Sequence, residues 1–172
     1  MAENTPDNTT DQRQVVVQRM FCRDASLEVP GGAAIFDREW QPKVDVQVQT
    51  NVNPLNDSRF QVTLSITLTT HVGDDVAYLV EAHQVGLFQV SGFTDQNELG
   101  LVLGAYCPSQ VFPFARETLA DLIQRGGFPP VLLQPINFDA LYAQHLQNQQ
   151  AEAANQSNGA ARPNNGGAPS AA

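Results

Sequence analysis

Charge is scarce in this 172-residue chain: 16% of the residues are Asp, Glu, Lys or Arg although 42% are hydrophobic, where an ordinary soluble domain carries roughly a quarter charged. Cations are scarcer still. Nine Lys and Arg face 18 Asp and Glu, for a formal charge of −9, and from Phe60 to Ala115 there is no Lys or Arg. Nucleic acid is held by clustered cations that release counterions, so the deficit argues against such a partner and for a basic protein. No apolar run approaches the ~20 residues that span a bilayer. The opening stretch, Met1 to Arg13, is polar and acidic where a signal peptide would be basic and then apolar, so a cytoplasmic location is expected. Cys22 and Cys107 lie far apart and form no CxxC, which supports neither a disulfide framework nor a zinc site. Each reads as a small buried hydrophobe with a free thiol. His71, His83 and His145 stand at no metal-ligand spacing, and no Ser or Cys lies in a nucleophile motif. Neither an enzyme nor a bound metal or cofactor is expected.

What the chain does have is organised in two halves between weakly apolar ends. Residues 1–13 and 147–172 are dominated by Asn, Gln, Thr, Ala and Gly and bury too little apolar surface to offset chain entropy. The expected domain is therefore 14–146, with a tail on either side. Within it, Gln14 to Cys22, continuing after a break to Val29, reads as a strand ended by Pro30, Gly31 and Gly32. Val44, Val46 and Val48 alternate with polar residues. So do Phe60, Val62, Leu64, Ile66 and Leu68, the period-two mark of a half-buried strand. Gly73, Asp74 and Asp75 then predict a tight turn into a fourth strand, Ala77 to Val90. An antiparallel meander or a close variant follows. The second half changes period: a helix capped by Thr94 or Asp95, a stronger one over Phe114 to Arg125 stopped by Gly126 and Gly127, and a last one capped by Asn137 and running to about Leu146. Strands first and helices second define an α+β class, a four-stranded antiparallel sheet with C-terminal helices packed on it.

Such helices cover one face of a sheet. Ala77 to Val90 is apolar on both sides, Tyr78, Val80 and Ala82 on one and Leu79, Val85 and Leu87 on the other, and subunit association is the ordinary way to bury the surplus. Glu81 interrupts that run and must share a face with Leu79 and His83. With Asp74, Asp75, Asp95 and Glu98, it makes the cation-free stretch acidic, either a solvated face or a flat dock for a basic partner. Aromatics gather around Pro- and Gly-rich connections: Phe36, Trp40, Tyr106, Phe112, Phe114, Phe128, Phe138 and Tyr142. They are ordinary core, or else an adaptable groove for extended peptides.

Five strings of residues favour the groove. FDREWQP (Phe36–Pro42), GAYCP (Gly104–Pro108), FPFARE (Phe112–Glu117), RGGFP (Arg125–Pro129) and PINFDAL (Pro135–Leu141) closely resemble the SecB family of protein-export chaperones. The likeness covers nearly all of 14–146. It implies a cytosolic, ATP-independent holdase, a homotetramer built as a dimer of dimers, which binds unfolded precursors and hands them to the SecA ATPase. The family positions that dock the zinc-binding C-terminal tail of SecA match Asp24, Glu28, Leu79 and Glu81. Tyr78, Val80, Ala82 and Gln84 match positions tied to tetramer assembly and client binding. Trp40 and Tyr142 match aromatics of the client groove, to which Phe112, Phe128 and Phe138 are added. A SecB-like chaperone dedicated to one client such as an antitoxin, and a binding module for a small apolar ligand, are the alternatives.

Overall fold

The computed structural model of the protein describes residues 12–159. Four strands, β1 (Gln14–Glu28), β2 (Pro42–Pro54), β3 (Arg59–Val72) and β4 (Asp75–Ser91), precede helices α1 (Gln96–Leu101), α2 (Cys107–Arg125) and α3 (Phe138–Gly159). A 3-10 turn (Gly32–Asp37) lies between β1 and β2, and a π-helical turn (Val102–Tyr106) joins α1 to α2. The strands form one antiparallel sheet in the order β1-β4-β3-β2. The expected meander holds for β2, β3 and β4. The first strand instead crosses to the far side and covers β4, a Greek-key order. Its placement makes β4, the strand apolar on both sides, a central one, and leaves β1 and β2 as edges.

Alternation assigns the faces. Val62, Leu64, Ile66 and Leu68 of β3 and Tyr78, Val80, Ala82 and Phe88 of β4 are buried toward the helices, each row being residues two apart. Gly73, at φ 63°, turns β3 into β4, a left-handed conformation that favours glycine. In β1 the register slips between Val17 and Arg19 and again between Cys22 and Asp24. Each bulge moves the helix-facing set by one residue, from Val15 and Val17 to Met20 and Cys22 and then to Ala25 and Leu27. That is why the sequence of β1 reads as broken.

The helical layer is more continuous than its prolines suggest. Asp95 Oδ1 accepts from the backbone N–H of Asn97 (2.7 Å) and Glu98 (3.4 Å), capping α1. From there the chain stays helical to Arg125, so the helix expected at Phe114 begins at Cys107. Pro108 and Pro113 both lie within this continuous helical run, and each is carried at the expense of one backbone bond. Val111, Ala115, Leu119 and Ile123 press α2 onto β4, β3 and β1. Gly126 caps its end and Gly127 takes φ 85°. Asn137 Oδ1 accepts from the Ala140 N–H at 3.0 Å and starts α3, which continues past Leu146 to Gly159. Gln, Asn and Ala dominate that extension, and no Gly or Pro interrupts it before its end, so it meets no strong helix breaker.

The two cysteines differ. Cys107, the first residue of α2, is fully buried, and burial pushes its thiol pKa up to about 12. Cys22, expected to be buried as well, is exposed because β1 is an edge. A Cys22→Ser variant should therefore show no fast thiol labelling at pH 8, since Cys107 stays protonated and enclosed, and one labelled thiol per chain once unfolded. Mass spectrometry after timed alkylation reads both.

Candidate functional sites: an acidic sheet face and an apolar groove

The face of the sheet away from the helices collects the predicted acidic positions. Register places Glu28 opposite Leu79, Ser26 opposite Glu81 and Asp24 opposite His83, so Asp24, Glu28, Leu79 and Glu81 share one face at one end of the β1–β4 pair. Asp45 of β2 lies across Thr69 from the same end. Asp24, Glu28 and Asp45 are exposed, and Leu79, Glu81 and His83 half-buried. Glu81 is held in place: the Thr67 hydroxyl donates to its Oε1 at 3.1 Å, and His83 Nε2 lies 3.4 Å from the same oxygen. Both contacts use the same carboxylate oxygen. Toward the far end of this face Val85 and Thr63 pair across the strands and are buried, beside half-exposed Phe21.

Tyr78, Val80, Ala82 and Gln84 form the opposite row of β4. All four are buried at 4% exposure or less, beneath this chain's own helical layer. Any influence of theirs on assembly or clients must pass through the seating of α2. The row carries uncompensated polarity: Tyr78 Oη, Thr70 Oγ1 and Gln84 Oε1 are buried without a hydrogen-bond partner among the described residues. Burial raises the Tyr78 hydroxyl pKa, with the facing Thr70 hydroxyl working the other way, though the two fall short of hydrogen-bond geometry.

The five expected groove aromatics divide into two groups. Phe128 is buried and takes three rings around it: Tyr78 at 4.8 Å between centroids, Phe36 at 5.0 Å and Trp40 at 5.6 Å. Trp40 and Phe36 stay 37% and 55% exposed. The second group sits at α3. Phe138 meets Phe112 edge-on at 5.9 Å, and both are buried. The Tyr142 ring lies against Gly100 and Gly104, where any Cβ would strike it. Trp40 and Tyr142 therefore belong to different clusters. Phe112, Phe128 and Phe138 serve as floor beneath the surface.

Between the clusters runs β2. Val44 and Val46 are 37% and 44% exposed, because α2 covers the other three strands and leaves this edge bare. Farther along, a cavity of about 600 Å³ lies between Val48–Val52 of β2 and Phe138, Leu141 and Tyr142 of α3. The valines were legible as strand residues but not as groove residues, since alternation does not say which strand lies at an edge. Gly104 was marked only as the first residue of the GAYCP string, and Gly100 by nothing beyond small size within a helical stretch.

One chain thus presents an open acidic sheet face, backed by a single helical layer and bordered by an apolar groove. A family description reading "Preprotein translocase subunit SecB" matches residues 8–149, and the chain belongs to the SecB family. It is 46% identical over 147 residues to the protein-export protein SecB of Methylococcus capsulatus, covering 86% of this chain and 94% of that one. It is 42% identical over 160 residues to that of Nitrosococcus oceani, covering 90% and 97%. Among solved structures, a SecB-like chaperone of Mycobacterium tuberculosis in complex with an antitoxin peptide superposes with a TM-score of 0.56 at 18% identity, covering 71% of this chain and 87% of that one. That likeness concerns the fold alone.

The notch under Tyr142 makes a prediction. A methyl group at Gly104 must displace the ring, so Gly104→Ala should loosen α3 while the sheet stays intact. Hydrogen exchange of α3 amides is expected to speed up about tenfold or more, with β3 and β4 amides unchanged.

Proposed function

We propose that the protein is an ATP-independent holdase that binds unfolded precursors in the cytoplasm, keeps them competent for export and delivers them to the SecA ATPase. The observation that carries this reading is the bare edge of β2, with exposed Val44 and Val46 between the Trp40–Phe128 cluster and the cavity under α3. A non-native chain laid there buries apolar side chains at roughly 25 cal/mol per Å². Folded proteins hide those side chains and have little to offer the groove. Aromatic and aliphatic walls accept many sequences because they ask only for size and apolarity. Membership of the family agrees with this use.

A homotetramer, as a dimer of dimers, fits the apolar surface that one chain leaves uncovered. Val16, Val17 and Phe21 are exposed along the free edge of β1, and Leu101, Tyr106 and Phe114 along the outside of the helices. A long edge strand with exposed apolar residues is a template for pairing with another copy, and an isologous contact would extend the sheet. Helices from two such pairs would cover the second surface. Repeating the groove around an assembly raises avidity without nucleotide. Delivery falls to the acidic face, where Asp24, Glu28 and Glu81 surround Leu79, a pattern suited to a basic segment with an apolar residue at its centre.

Two measurements test this. Sedimentation should give a particle of four times the 18.7 kDa chain mass, and one such particle per slowly folding precursor should suppress its spontaneous refolding; unaltered refolding would count against a holdase. Separately, the combined change Asp24→Asn, Glu28→Gln and Glu81→Gln should weaken SecA binding by about 2 kcal/mol or more and flatten its salt dependence, while refolding suppression persists.

A further inference from the structure

The open face of the sheet is divided by charge along its strands. The carboxylates Asp24, Glu28, Asp45 and Glu81 lie in the rows from Leu79 to His83, with Lys43 beyond them and Arg23 in the bulge beside Asp24. The next row, Phe21 and Val85, is apolar. Past it the sign reverses, with Arg19 opposite Leu87 and Arg59 opposite Gln89. Arg59 is fixed there: its Nε donates to Gln18 Oε1 at 2.9 Å, and Gln18 Nε2 donates to Gln89 Oε1 at 2.9 Å. Neither Arg19 nor Arg59 makes an ion pair among the described residues, although Asp57 lies in the turn just before Arg59. Two guanidinium groups and the exposed Phe21 ring thus stand on a face whose own carboxylates lie at its other end.

The chain itself supplies the complement. Residues 1–11, which precede the described ones, hold Glu3, Asp7 and Asp11 and no Lys or Arg. They join the domain at the basic end: Gln14 pairs with Ser91, two residues along from Gln89, and the backbone of Gln12 and Arg13 lies against Gly92. Arg13 is the cation nearest to them in sequence, but Glu98 takes it at 2.8 Å, and its guanidinium lies over the Phe93 ring. The cations that follow on the open face are Arg19 and Arg59. From Gln14 to Arg19 is about 17 Å at the rise of a strand, and a segment of this length reaches about 36 Å when extended. We infer that residues 1–11 dock on the Arg19 and Arg59 end of their own chain's open face, their carboxylates meeting the two guanidinium groups. Attachment beside the patch gives the segment a local concentration on the order of millimolar, so modest charge attraction holds it. The net charge of −9 opposes an acidic partner arriving from solution, whereas a tethered segment brings no further charge. Pairing along the edge of β1 would not displace it, because these side chains stand perpendicular to the sheet. The cover closes the basic end to polyanions and leaves the carboxylates of the other end as the charge the face presents.

The test places a nitroxide on Asn4→Cys in the full chain, with Cys22→Ser so that the enclosed Cys107 is the only other thiol, and reads the broadening of amide signals by NMR. Arg19, Leu87 and Gln89 are expected to lose signal, and Glu28 and Leu79 to keep it. Uniform broadening of the two ends, or none at Arg19, overturns the inference. Tethering alone favours the near end, so charge decides. Adding Glu3→Gln, Asp7→Asn and Asp11→Asn, or separately Arg19→Gln and Arg59→Gln, should weaken the broadening at Leu87 and Gln89 by about twofold or more, as should about 1 M salt. Undiminished broadening in either variant contradicts the docking. The three changes in residues 1–11 touch none of the described residues, so that arm holds whatever the arginine changes do to the sheet.

Discussion

The antiparallel pairing of β3 with β4 is the constraint on which the rest of the molecule depends. Its register runs from Arg59 opposite Gln89 to Val72 opposite Asp75, and within it every residue is committed to one face or the other. A slip of one position would bring Glu81 and His83 under α2 and turn Val80 and Ala82 out to solvent. The bulge between Thr70 and His71 is confined to the hairpin end, so the slip is taken up beyond the row of Leu79, Glu81 and His83.

That commitment separates two kinds of chemistry across the thickness of one sheet. Toward the helices lie apolar side chains whose burial supplies the stability of the domain. Toward the open side lie Thr, Ser and Gln with a few carboxylates, interrupted by Leu79, Val85 and Leu87 of β4 and Phe21 of β1. The scarcity of charge is thus a matter of distribution. Asp24, Glu28 and Glu81 gather at one end of the β1–β4 pair, and the bare edge of β2 is free of carboxylates apart from Asp45, whose side chain points to the other face. A surface that holds non-native chains cannot be guarded by dense charge, because desolvating charge would oppose every apolar client.

Much of this was legible in the sequence, for physical reasons. The faces of β3 and β4 followed from period two, and the placing of Glu81 with Leu79 and His83 needed no structure. The helix caps Asp95 and Asn137 were visible because their side chains act on neighbouring backbone. Longer-range choices were not. That β1 crosses to β4 depends on which edge gains more from cover, and its exposure of Cys22 follows from that choice. The helix expected to begin at Phe114 starts at Cys107 instead, because tertiary packing of Val111, Ala115 and Leu119 outweighs the hydrogen bond lost at Pro113. The aromatics stood out in the sequence, yet only contact between distant segments could divide Trp40 from Tyr142 or show that Phe112, Phe128 and Phe138 lie beneath the surface.

The π turn at Val102–Tyr106 has a consequence for how this chain can vary. Such a turn holds one residue more than the α-helix it interrupts, and one residue in an α-helix is about 100° of rotation. It therefore sets the phase between α1 and α2, letting Gly100 and Gly104 present a notch to Tyr142 while Val111 and Ala115 look down on the sheet. Removing a single residue there would restore a regular helix and still be fatal to the arrangement, since the notch would rotate away from α3. Length in this segment is therefore constrained more tightly than identity, the reverse of the rule for surface loops.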